Sequence, residues 1–162
     1  MEDSWTTAIS YLGEIGLGFD DGRQAIRVLG RLVLAMLLGG VVGWERERRG
    51  RAAGVRTHMI VALGAALFTV VAMETAMGYA DKPLVLSQVI RGIAAGVGFL
   101  GAGAILKGDQ PGHVMGLTTA AGIWLTAAAG MAVGAGWFMP AAIGVGLSWL
   151  ILALSRVTSP DE

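Results

Sequence analysis

The stretch GWERERRGRAAGVRTHM, residues 43–59, sets two carboxylates among several guanidiniums, with apolar runs on either side. Glu45, Arg46 and Glu47 come just before Arg56 and Thr57. Arginine beside a helix N-terminus suits an anion, because the helix end presents unpaired N–H groups and a partial positive charge. That anion is either internal, the carboxylate of Glu45 or Glu47, or external: a phosphate, a lipid headgroup or a peptide partner. The plainer alternative is that Thr57 caps a helix and the charges form salt bridges between loops. A second set, Arg31, Glu74, Gln88 and Arg91, lies inside apolar sequence. Buried charges of this kind face the protein interior and pair.

Other chemistries find no support. The chain has no Cys, so it carries no disulfide framework, thiolate nucleophile or Cys-ligated zinc. No Ser-His-Asp set, paired intramembrane carboxylates or cofactor fingerprint is present, and neither an enzyme nor a cofactor is expected. His58 and His113 have no metal-ligand spacing and read as ordinary loop or interfacial residues. GFLGAGAILKGD, residues 98–109, lacks the Gly-Lys-Ser/Thr and the preceding strand of a phosphate loop. Mg²⁺ is held through carboxylates and retained water, whereas Glu74 is the one intramembrane carboxylate read here, set against at least two arginines. A net charge of zero argues against a nucleic-acid partner.

The elements that must position these groups are membrane helices. Hydrophobic residues make up 54% of the 162-residue chain and charged ones 15%, against roughly 25% charged in soluble domains. Crossing the hydrocarbon core takes about 20 mostly apolar residues. Five runs qualify: about 24–44, 57–79, 84–106, 114–134 and 137–155. The reading is an all-α membrane protein, a compact five-helix bundle over residues 21–157. A short acidic segment, residues 1–20, precedes it, and a tail, residues 158–162, follows. Arg46, Arg48, Arg49, Arg51 and Arg56 crowd the first connection, which the positive-inside rule makes cytoplasmic. The N-terminus is then outside and the C-terminus cytoplasmic. Lys107, Thr118 and Thr119 join Glu45, Arg46, Glu47, Arg56 and Thr57 at the cytoplasmic face as one candidate binding cluster.

Helix rise places Arg31, Glu74 and Arg91 at similar depth. Glu74 is expected to pair with Arg91 or Arg31, with Gln88 adding a hydrogen bond; separate snorkelling to the headgroups is the alternative. Small residues recur every four positions: Gly92 and Gly96 in the third helix, Gly122, Thr126, Gly130 and Gly134 in the fourth. Such stripes let helices approach closely in lipid, with backbone contacts expected around the third and fourth helices. They serve internal packing or a homodimer, and the spacing does not separate the two.

Taken together, GGVVGWERERRGRAAGVRTHMIVALGAALFTVV (39–71), RGIAAGVGFLGAGAILKGD (91–109) and GLTTAAGIWLTAAAGMAVGAGW (116–137) resemble the MgtC/SapB family of bacterial inner-membrane proteins. The resemblance covers most of the chain and implies a five-helix membrane domain. It also implies a role in adaptation to low Mg²⁺ and, for some relatives, in virulence within macrophages. Relatives act by restraining ATP synthase and are countered by small membrane peptides, so a membrane protein of either sort is the implied partner. Virulence-associated relatives continue into a cytosolic C-terminal domain, and this chain resembles the short form. The expectation is a non-enzymatic regulator acting through a membrane partner, with a transporter or channel for an ion or small solute as the alternative.

Overall fold

The computed structural model describes residues 22–76, 82–107 and 114–158. They form five helices: α1 Gly22–Arg48, α2 Val55–Thr75, α3 Lys82–Ala104, α4 Leu117–Gly134 and α5 Phe138–Thr158. The first four are long and apolar enough to cross a membrane, while α5 is apolar over the shorter stretch Phe138–Leu152. The expected N-terminal segment (1–20), His113 and residues 159–162 lie outside the described residues.

Two boundaries differ from the expected ones for local reasons. Helix α1 runs on through Glu45 and Arg46 to Arg48, so half of the charged stretch is its last turn and not a loop. Arginines there complement the negative end of the helix dipole. The chain leaves the helix through Gly50, whose φ of +63° is the left-handed geometry glycine supplies after a C-terminus. Helix α2 then begins two residues early, at Val55. Between α3 and α4 the chain adds a small antiparallel ladder, with Leu106 opposite Met115 and Lys107 opposite Val114. Gly116 closes it at φ +89°, and a Cβ there would strike the Ala104 carbonyl.

The interior is made of small side chains. Ala35, Ala62, Ala66, Val133 and Ala141 form one buried cluster; Ala53, Ala65, Val97, Ile123 and Ala127 form another. Large apolar groups point outward, with Phe68 68% and Phe99 81% exposed. Water would penalise that inside-out distribution, whereas lipid does not, and helices in lipid gain instead from close contact between small residues.

Close contact occurs among α1, α2 and α4. A Cβ on Gly130 would collide with the Ala62 carbonyl, and one on Gly134 would stand 2.6 Å from the Ala66 carbonyl. On α1, a Cβ at Gly39 would lie 2.5 Å from the His58 carbonyl. Gly122, Gly130 and Gly134 therefore sit at a true helix–helix seam, but their main partner is α2, not α3. Gly92 and Gly96 do not: an added Cβ at either meets nothing within 4 Å. They line a groove of about 590 Å³ between α2 and α3, walled by Ile60, Phe68 and Leu100. The expected close packing of α3 through Gly92 and Gly96 is therefore not formed: the two glycines open on the groove.

Candidate functional site

The ends of α1 and α4 and the start of α2 converge on one polar cluster. Arg46, in the last turn of α1, is 2% exposed. Its Nη2 donates to the Thr119 hydroxyl at 2.9 Å and to the Thr118 hydroxyl at 3.2 Å, both in the first turn of α4. His58, in the first turn of α2, is fully buried. Its Nδ1 lies 2.9 Å from the Gly54 carbonyl. A carbonyl only accepts, so Nδ1 carries the proton and Nε2 of the neutral ring is left as an acceptor. Nε2 faces Gly122 on α4, one turn from Thr118 and Thr119, at 3.4 Å from where a Cβ would stand. A charged group from α1 and an imidazole from α2 thus bear on the same short stretch of α4.

The carboxylates divide between two tasks. Glu45, 5% exposed, is ion-paired with Arg49 one turn along α1. Arg49 in turn donates to the Leu152 carbonyl of α5. Glu47 reaches over the turn and accepts the Val55 N–H at 2.8 Å. Gly54 offers no side chain to cap α2, so Glu47 supplies the anion that a helix start favours. This contact is also why α2 starts early. Arg46 Nε, His58 Nε2 and Glu45 Oε2 are buried and have no hydrogen-bond partner among the described residues. Buried polar atoms of that kind mark a site with capacity for further hydrogen bonds.

Several expected members stand elsewhere. Arg56 and Thr57 are exposed and turn away from the cluster. Thr57 does not cap α2; the cap position is Gly54. Lys107 is placed through its backbone, in the ladder beside Val114. Arg48, which is not among the expected members, lies with its guanidinium 4.7 Å from the Trp44 ring centre.

The intramembrane set does not form the expected ion pair. Glu74 is hydrogen-bonded by the Gln24 side-chain amide of α1. Arg31 donates to the Gly134 carbonyl at 3.0 Å, satisfying an acceptor at the C-terminal end of α4. Arg91 and Gln88 are exposed on α3 and reach neither. They face outward from α3, away from Glu74 and Arg31.

Sequence reasoning missed His58 and Gln24. A signal for His58 was present: with Ala62, Ala65 and Thr69 it follows i, i+4, i+7, i+11 spacing on the buried side of α2. Nothing comparable marks Gln24.

A helical bundle with alanine and glycine inside, large apolar groups outside and spans of this length is a multi-pass membrane protein. The chain belongs to the MgtC family, which it matches over residues 32–159. Protein SrpB of Synechococcus elongatus is 47% identical over 76% of this chain and 71% of its own length. "Putative magnesium transporter YhiD" of Escherichia coli K12 is 41% identical over 75% of this chain and 57% of its own length. Protein MgtC of Brucella abortus is 43% identical over 75% of this chain and 48% of its own length. The chain therefore spans about half the length of the latter two relatives. No solved structure matches it.

Proposed function

We propose that this protein is a non-enzymatic regulator of ion or energy homeostasis under magnesium limitation, acting in the bacterial inner membrane through contact with a membrane protein partner. The observation that carries the reading is how the polar groups are distributed along the bundle. Glu45, Arg46 and His58 gather at one end, and Gln24, Glu74 and Arg31 at the other. The two ends are separated by roughly 20–35 Å of helix. Between them α1, α2 and α4 meet through Ala35, Ala62, Ala66 and Val133. The buried hydroxyls in that stretch, Thr69 and Thr126, are bonded to the Ala65 and Gly122 carbonyls of their own helices. A hydrated ion needs a succession of oxygen ligands to replace its water, and the described bundle offers it alanine instead.

The second reading, transport, is favoured by the naming of the relative YhiD as a putative magnesium transporter. Reconstitution separates the two. The purified chain in liposomes is expected to pass no Mg²⁺, K⁺, protons or phosphate above protein-free vesicles. Saturable Mg²⁺ uptake by folded protein would overturn the regulator reading in favour of transport. In the orientation that fits the arginine-rich α1–α2 connection, the Arg46 cluster faces the cytoplasm. Small-residue seams leave room for a homodimer in either reading.

A further inference from the structure

Helix α3 presents a second seam that the described residues of the bundle do not use. Leu84, Gln88, Arg91, Ala95, Gly98 and Ala102 follow i, i+4, i+7, i+11, i+14, i+18 spacing, and all six are exposed. That is the repeat by which two helices pack side by side with a shallow left-handed crossing. The seam is turned away from Ile93, Val97 and Gly101, through which α3 meets α2 and α4. It is also distinct from the groove at Gly92 and Gly96.

Two polar groups stand in it. Arg91 lies about 13 Å along the helix from Lys82 and about 20 Å from Ala104, well inside a candidate membrane span. Gln88 is one turn away on the same face. Among the described residues neither has a partner, and guanidiniums at such depth pair with an anion or a hydrogen-bonding group. Beyond Arg91 the seam narrows to Ala95, Gly98 and Ala102, and a Cβ on Gly98 would meet nothing within 4 Å. Small side chains there leave room for a neighbouring backbone.

We propose that this face docks a transmembrane helix of another protein that carries an Asp or Glu at the depth of Arg91. The carboxylate takes the guanidinium, with Gln88 donating a further hydrogen bond, while Ala95, Gly98 and Ala102 receive the partner's backbone. Charge chooses the occupant. A second copy packed on the same seam in the same orientation would bring Arg91 against Arg91, two like charges in a medium that screens them poorly. The inference rests on the regulator reading in that the partner is a different protein, but its test does not depend on the flux result.

The full chain would be reconstituted in phosphatidylcholine vesicles containing a minor fraction of phosphatidylglycerol and labelled at an introduced Arg51→Cys, the native chain having no cysteine. The probe is a synthetic Leu/Ala transmembrane peptide with one Glu at the Arg91 depth, compared with its Gln version by energy transfer. The Glu peptide is expected to associate about tenfold more tightly. Arg91→Gln should erase that preference, and Gly98→Leu, whose Cβ would meet nothing within 4 Å, should weaken both peptides while the fold persists. Equal association of the two peptides, or a preference that survives Arg91→Gln, overturns the proposal. So does efficient disulfide trapping of two copies through Gly98→Cys, which would assign the seam to self-association. Arg91-dependent enrichment of phosphatidylglycerol with no peptide preference would give the face to lipid headgroups and overturn it equally.

Discussion

Arg46 and Thr119 hydrogen-bond across α1 and α4 at 2.9 Å, and each is only 2% exposed. The contact ties the charged end of the first helix to the start of the fourth, in a place where neither group has water to fall back on. It gives the polar cluster a structural role.

Removing that contact should be costly and coupled. Hydrogen bonds to charged groups contribute about 1.5–3 kcal/mol, so Arg46→Gln is expected to lower unfolding stability in micelles by about that much. Thr119→Val should cost less, since Thr118 still accepts from the same guanidinium. The double variant should lose less than the sum of the two, because they share one interaction. Strict additivity in the cycle would mean the pair is not coupled.

Glycine position should matter more than glycine content. Gly130→Ala drives a Cβ into the Ala62 carbonyl and should destabilise by about 1–3 kcal/mol through forced separation of α2 and α4. Gly98→Ala meets open space and should be neutral or stabilising by up to about 1 kcal/mol, the helix propensity difference. Thermal unfolding of the two single variants in one detergent would check the order, and a reversed order would refute the assignment of the α2–α4 seam.

For Glu47, charge and hydrogen bonding can be separated. Gln at this position keeps an oxygen for the Val55 N–H and loses the favourable charge at the helix start, a cost of about 0.3–1 kcal/mol. Ala loses both and should cost about 1–2 kcal/mol. Indistinguishable losses, measured by urea titration, would leave the cap without an electrostatic part.

His58 should be chemically silent in the folded protein. In a His113→Gln background it is the sole histidine, and its full burial predicts negligible reaction with diethylpyrocarbonate until the chain unfolds. Rapid modification under native conditions, followed at the imidazole absorbance change, would contradict the packing of α2 on α4.

Much of the fold was legible in order and length. Run length alone reveals membrane helices, because the hydrocarbon thickness sets it, and four helices met the criterion with a fifth close behind. The candidate cluster was legible in part. Glu45, Arg46, Thr118 and Thr119 were brought to one end by topology, since an odd-numbered helix ends where an even-numbered one begins. Arg56 and Thr57 shared that end and still face away, as does Arg91 from Glu74.

The difference lies in what periodicity can say. In a soluble helix the polar face marks the outside, so rotation about the axis is written in the sequence. Helices α2 and α4 are apolar all round, and lipid accepts a Phe as readily as a neighbouring helix does. Class, span number and the small-residue spacing were therefore determined by the sequence itself. Which stripe would pack was a tertiary decision: Gly130 and Gly134 found the α2 backbone, while Gly92 and Gly96 were left beside a groove. So was the burial of His58, and so was the outward turn of Arg91, because rotation in lipid is chosen by the fit between helices.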